Sequence, residues 1–374
     1  MGIDNIKTVH VTTPITITHD VTVKIIQAQV DHSMPEPAPE RPLFMAMLQG
    51  NATNQLTQIS TRSHEPEINP LGVATIENGN FKVFIEEYDK LTGGLRISTH
   101  KLLDACTIAL TNQNNYRGKG DLETTVNISL DDYMIMCGIP QTKSSKDKTR
   151  RKIKEDLDVL YSISIEWSEP KGKQTKDFDK MRICDRVAIK RGEITINFTP
   201  DITRYLTNAY VMQYPISLLT VDERNPSTYY IGKKLLLHNS IDNNQMKNTA
   251  NIISVKALLK CCPDIPKYED ISKQGRIEQR IIKPFEKALD ELKNILIWEY
   301  SNSKGIPLTK EQTEGNTYSD FINLYIKFEV LNAPDQTERR TMRAQEKERK
   351  IKALEKEQAK LKAKAIHKKQ NKSE

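Results

Sequence analysis

Apolar and polar positions follow two different periods along this chain, and the switches between them mark its elements. Residues 1–33 alternate with period two (Val9, Val11, Ile15, Ile17, Val21, Val23), which predicts one or two strands. Residues 34–42, MPEPAPERP, predict an extended linker, and residues 43–65 read as polar and irregular. Residues 74–88 predict a hairpin around Asn78-Gly79, a pair suited to the positive φ angles of a tight turn. The period then becomes helical. Leu102, Leu103, Cys106 and Leu110 share one face, with Ser98 and Thr99 as N-cap candidates. After a Gly-rich turn at 117–120, Ser129 caps a short helix that Gly138 and Pro140 end. Ser144 and Ser145 open a longer helix with a buried stripe of Ile153, Leu157 and Leu160. Period two returns at Ile163, Ile165 and Trp167. A Lys-rich polar stretch, 169–180, then precedes two more strands, within 181–190 and 193–198.

The same order recurs downstream. Residues 229–238 read as a helix, and residues 251–266 echo 127–140, aligning Ser254 with Ser129 and Cys262 with Cys137. A third helix, 276–292, leads into Ile295 and Ile297, which align with Ile163 and Ile165. A polar stretch (301–319) and a final strand (321–330) close the unit. Helix, short capped helix, longer basic helix, strand, polar loop, strand is the plan of a helix-turn-helix followed by a β-hairpin wing. The expected fold is α+β, with tandem winged-helix domains. The expected boundaries are an N-terminal extension and Pro-rich linker (1–65), domain 1 (66–220), domain 2 (221–332) and a basic helical or disordered tail (333–374).

Charge sharpens this picture. The chain of 374 residues carries a net +7, but residues 339–374 hold 14 Lys and Arg against 5 Asp and Glu, leaving the rest at −2. Within that near-neutral body, Lys143–Lys154 (KSSKDKTRRKIK) holds seven basic residues and one acid. A charge run is ordinarily a solvated face. This one falls at the start of the helix that, in helix-turn-helix modules, meets base edges in the major groove. The candidate DNA-contacting residues of domain 1 are Lys146, Lys148, Thr149, Arg150, Arg151 and Lys154, with Lys171 and Lys173 on the expected wing beside Lys176 and Lys180. In domain 2 they are Lys273, Gln274, Arg276, Gln279, Arg280 and Lys283. Arg suits bidentate contact to guanine and Gln to adenine. A helix N-terminus adds attraction for phosphate.

Three segments carry a resemblance to a known family: ITINFTPDITRYLTNAYVMQYPISLL (194–219), STYYIGKKLLL (227–237) and RIEQRIIKPFEKALDELKNILIWEY (276–300). Over roughly residues 95–330 the chain resembles the replication initiator (Rep) proteins of plasmids and mobile elements, of the iteron-binding type with two winged-helix domains. The family's Arg-x-x-Ile/Leu-Lys-Pro pattern is approached by Arg280-Ile-Ile-Lys-Pro284, which is one position shorter, and a proline inside a helix otherwise costs about 3 kcal/mol. The resemblance implies binding to repeated double-stranded DNA sites at an origin, a monomer–dimer equilibrium, recruitment of a host initiator or helicase, and no catalysis. A transcriptional regulator on the same fold and a non-catalytic protein-interaction module are the alternatives.

Other classes find little support. No stretch approaches the length of a membrane span, and the N-terminus lacks the pattern of a signal peptide, so a cytoplasmic, plasmid-associated protein is expected. Neither a G-x4-G-K-S/T loop nor a His-x-His pair is present, so no catalytic residue, metal or cofactor is assigned. The five cysteines, irregularly spaced and each beside an apolar run, read as reduced core residues. His238 reads as a satisfied boundary residue. Asp131 and Asp132 read as first-turn helix acids.

Overall fold

The computed structural model describes residues 16–17, 21–22, 43–49, 67–78, 81–88, 91, 95–114, 122–171, 175–207, 210–244, 251–271, 275–313 and 317–333. The Pro-rich segment, the 117–120 turn and the basic tail lie outside them. Two short strands, β1 (Thr16–Ile17) and β2 (Val21–Thr22), pair with each other. Strand β3 (Phe44–Gln49) follows, then β4 (Glu67–Ile68), β5 (Ala74–Asn78) and β6 (Phe81–Ile85). Helix α1 (Ile97–Gln113) is buried on nearly every side, as expected for a helix at the centre of a core.

The first module is built around α1. Strand β7 (Thr125–Ser129) runs into α2 (Leu130–Met136), and a turn at Gly138 leads to α3 (Lys143–Tyr161). Four strands follow: β8 (Ile163–Lys171), β9 (Thr175–Arg182), β10 (Cys184–Lys190) and β11 (Glu193–Phe198). They divide between two sheets. β10-β11-β7 form a three-stranded antiparallel sheet, and β4-β5-β6-β8-β9 form a five-stranded one. Period-two burial on β11 sends Ile194, Ile196 and Phe198 inward, where Ile194 pairs with Ile128 and Ile196 with Val126.

Helix α4 (Pro200–Thr207), strand β12 (Tyr210–Pro215) and a 3-10 turn (Ile216–Thr220) lead to α5 (Pro226–Asn244). The second module continues with β13 (Ile252–Ser254), α6 (Val255–Leu259), α7 (Tyr268–Ile271), a π-helical turn (Glu278–Ile282) running into α8 (Lys283–Asp290), and β14 (Leu296–Ser301). It closes with α9 (Lys310–Thr313), α10 (Tyr318–Ile322) and β15 (Tyr325–Val330). Its sheet order is β13-β15-β14. In both modules the strand before the short helix lies at an edge and the last strand lies in the middle. Ser129 and Ser254 cap their helices in the same way, accepting from the backbone N–H of Asp132 and Ala257.

Three expectations are corrected. Residues 44–49 are not irregular: β3 pairs antiparallel with β12, and its Ala46, Met47 and Leu48 are buried. The partner strand lies far along the chain, so no local pattern announces it. Ser98 and Thr99 do not cap α1, which begins at Ile97 behind Arg96. Their hydroxyls are buried and donate elsewhere, as described below. The strand β8 is not the counterpart of β14, despite the matching positions of Ile163 and Ile295. It joins β6 and β9 in the five-stranded sheet, and β10 takes the place that β14 holds in the second module.

Smaller expectations stand. All five cysteines are buried and form no disulfide. The His238 ring bonds Ile252 O at 2.8 Å through Nε2. Asp131 and Asp132 sit in the first turn of α2. Among the described residues no helix is long and apolar enough to cross a membrane.

Candidate nucleic-acid interface

Helix α3 is fixed from its underside, which decides what its upper side offers. Its N-cap is Thr142, whose hydroxyl oxygen accepts from Ser145 N at 3.2 Å. The helix thus starts slightly earlier than the Ser144-Ser145 pair suggests. Ile153, Leu157, Val159 and Leu160 are buried, each at about 1.5–3 kcal/mol for a fully buried side chain. Among them lies a carboxylate, Asp156, only 1% exposed. It accepts from Thr99 Oγ1 at 2.7 Å, Ser98 Oγ at 2.9 Å and Arg96 Nη2 at 3.3 Å. Burial pushes its carboxyl above the ordinary value, and the two hydroxyl donors oppose that rise. The start of α1 therefore clamps α3 in one rotation about its axis.

With that stripe inward, Lys148 and Arg151 fall on the opposite line at 3.6 residues per turn. Both are exposed, with no ion pair among the described residues. Arg150 and Lys154 are exposed on the flank, Arg150 at 3.8 Å from Asp147. Lys146 instead reaches back to Asp131 of α2 at 2.7 Å, tying the two helices together. Thr149 is buried at 7% and points into the module, so it does not belong to the outer face.

The expected wing is misplaced. Lys171 ends β8, and Lys173 lies outside the described residues. The β8–β9 hairpin that carries them belongs to the five-stranded sheet. The hairpin closing the sheet beside α2 and α3 is β10–β11. Its tight turn places Arg191 at φ 53° and Gly192 at φ 81°, both in the left-handed region a two-residue hairpin of this kind requires. Gly192 O accepts from Leu130 N at 2.7 Å, which sets the turn against the start of α2. Arg186, Lys190 and Arg191 are exposed there. The Arg191-Gly192 pair between two alternating runs was the available signal.

In the second module Lys273 and Gln274 lie outside the described residues. Arg276 is exposed at φ 63°, directly after Gly275 at φ 66°, so it stands before the helix and not within it. Its carbonyl accepts from Gln279 N at 3.1 Å and Arg280 N at 3.0 Å. The next turn is π-helical, and Pro284 follows it at the start of α8. A proline has no N–H to give to the preceding turn, and its ring crowds the carbonyl four residues back. The wider turn relieves both conflicts. It also brings residues five apart into line: Lys283 Nζ lies 2.8 Å from a Glu278 carboxylate oxygen, which holds the ammonium above its ordinary value. Gln279, Arg280 and Lys283 are exposed, while Ile281, Phe285, Ala288 and Leu289 are buried. Phe285 meets Phe321 edge-on at 5.7 Å. Each module thus seats one helix on an apolar stripe and turns basic and amide side chains outward.

An edge strand, a short capped helix, a longer basic helix and a closing hairpin, in that order, define the first module as a winged helix. Residues 75–222 match the family model described as "Initiator Replication protein, WH1", so this segment is similar to the first winged-helix domain of initiator replication proteins. Two crystal structures of domains 2 and 3 of RctB are remotely similar. One has a TM-score of 0.38 at 10% identity, covering 74% of this chain and 98% of that chain. The other has a TM-score of 0.33 at 10% identity, covering 72% and 92%. No curated protein sequence matches the chain.

Proposed function

We propose that this protein is a replication initiator that binds repeated double-stranded DNA sites at a plasmid or mobile-element origin. Both modules act as winged helices, and the bound protein recruits the host replication machinery in the cytoplasm. The observation that carries the reading is the outer line of α3, where Lys148 and Arg151 stand exposed opposite a stripe anchored by Asp156. The helix after the turn is the element that enters the major groove in this class of module. The segment from Arg276 to Lys283 plays the same part in the second module. The hairpin turn at Lys190 and Arg191 lies over the backbone. The proposal assigns no catalytic residue, metal or cofactor.

Selection of bound fragments from a random duplex library at about 150 mM salt tests it. A sharp motif spanning two major-groove segments is the expected result. With about 6–10 phosphates neutralised, affinity falls by roughly 10³–10⁵ between 50 and 200 mM salt. No enrichment would leave a protein-interaction role. A motif that fails to support replication of a linked plasmid would leave a transcriptional regulator.

A further inference from the structure

The joint between the two modules is tied to its neighbours at five of its eight residues. Val221 O accepts from Lys101 Nζ of α1. The Asp222 carboxylate closes a turn by accepting from Arg224 N at 2.9 Å and Arg224 Nη2 at 2.6 Å. Glu223 pairs with Lys152 on the flank of α3. Asn225 Nδ2 donates to both carboxylate oxygens of Glu291, each at 3.0 Å, and Thr228 Oγ1 donates to one of them at 2.7 Å. Glu291 immediately follows α8. Ser227 Oγ donates to Asp264 ahead of α7.

Just inside this layer, Gly232 of α5 lets two elements close on it. A Cβ there would lie 2.8 Å from Leu218 of the 3-10 turn and 3.0 Å from Leu292 behind α8. One short segment therefore touches the basic helix of the first module through Glu223 and the end of the basic helix of the second through Asn225 and Thr228. Flexible linkers are rich in glycine and serine and leave their backbone to water. The stretch VDERNPST contains no glycine, and the side chains of Glu223, Asn225, Ser227 and Thr228 each reach a partner outside it.

We infer that residues 221–228 are a spacing gauge: they hold the two basic helices at one separation and angle, so that the protein selects DNA by the distance between the two segments it reads. This rests on the DNA-binding reading above. A single added base pair moves one segment by about 3.4 Å along the axis and rotates it by roughly 34°. A flexible tether absorbs that change, whereas a rigid joint loses the second contact, and with it the gain from binding both segments at once. Glu223 and Glu291 are positioning residues in this scheme, since neither belongs to the outward basic faces.

The test uses the full chain and the site it selects from random duplexes. Base pairs are added or removed, one to three at a time, between the two segments, and affinity is read by fluorescence anisotropy at fixed salt. The wild-type protein should lose at least about tenfold in affinity per base pair of change. The double variant Glu223→Gln/Glu291→Gln should flatten this profile while each segment alone binds as before. Glu299→Gln, which breaks the exposed pair with Lys327 on the far sheet, should leave the profile sharp. Removing two acidic charges raises affinity for every spacer alike, so the shape of the profile is the readout. A flat wild-type profile, or a double variant as sharp as wild type, overturns the gauge and leaves DNA binding intact. Failure to select any site overturns the DNA-binding reading itself, and the gauge with it.

Discussion

Beneath the joint lies a buried ion pair whose removal has a calculable cost. Asp104 of α1 and Lys233 of α5 are 3% and 1% exposed, with Oδ1 and Nζ 2.6 Å apart. The second carboxylate oxygen accepts from Tyr229 OH at 2.6 Å and Tyr214 OH at 3.0 Å. The four side chains join α1 to β12 and to α5, the first helix of the second module. Lys233→Met leaves the carboxylate buried with two neutral donors, and should cost about 3–5 kcal/mol. Asp104→Leu strands an ammonium and two hydroxyls and should cost at least as much, because each orphaned hydroxyl adds about 1–3 kcal/mol. The double variant Asp104→Leu/Lys233→Met strands only the hydroxyls, at about 2–6 kcal/mol, so it should cost well under the sum of the singles. Adding Tyr214→Phe and Tyr229→Phe should bring the chain back close to wild-type stability, as apolar replacement of whole buried polar clusters often does. Urea unfolding at pH 7, followed by fluorescence and circular dichroism, reads each value. If the double variant costs the sum of the singles to within about 0.5 kcal/mol, the groups are uncoupled and the reasoning fails.

Three further outcomes are expected. Arg151→Ala should weaken DNA binding by about 1–3 kcal/mol with relaxed preference at one base if it reads an edge, or lower the salt slope by about one if it meets a phosphate; an unchanged isotherm removes it from the interface. Burial pulls the Lys101 ammonium down to about 8 from 10.5. Between those two values the folded chain holds fewer protons than the unfolded one, so stability should rise with pH by up to roughly 3 kcal/mol relative to Lys101→Met. Urea midpoints measured from pH 7 to 10.5 check it, and parallel curves contradict it. Thr142→Ala should cost about 1 kcal/mol in thermal unfolding, with Thr142→Ser restoring most of it, since the cap needs only an oxygen there.

What could be read from residues alone was local. Ser129 and Ser254 announce their short helices because a cap, a first turn and a terminating Gly or Cys-Pro lie within a dozen positions. The stripe Ile153, Leu157 and Leu160 announces α3 because helical period needs no partner to be visible. The failures share one cause, which is that the deciding partner lies far away. β3 looks irregular until β12 pairs with it. The β8–β9 and β10–β11 hairpins have similar alternation, and only their neighbours, β6 in one case and β7 in the other, decide which is the wing. Thr149 lies inside a basic run yet is buried, because the rotation of α3 is set by Asp156 against Ser98 and Thr99. Pro284 was legible as a conflict within a helix. The π-helical turn that resolves it, and the pairing of Lys283 with Glu278 across that turn, were not. The joint was invisible because Glu223 and Asn225 read as ordinary polar residues until Lys152 and Glu291 are placed beside them.

The central claim is that the two basic helices read DNA together, and methylation interference on the selected site tests it most directly. Modification of guanine N7 blocks major-groove contact at that base alone. Interference should fall in two major-groove segments on one face of the duplex, about 10 base pairs apart between centres. Charge reversal at Arg150 and Arg151 should erase one segment, and reversal at Arg276 and Arg280 the other. Interference confined to one segment, or insensitive to both reversals, would contradict the account.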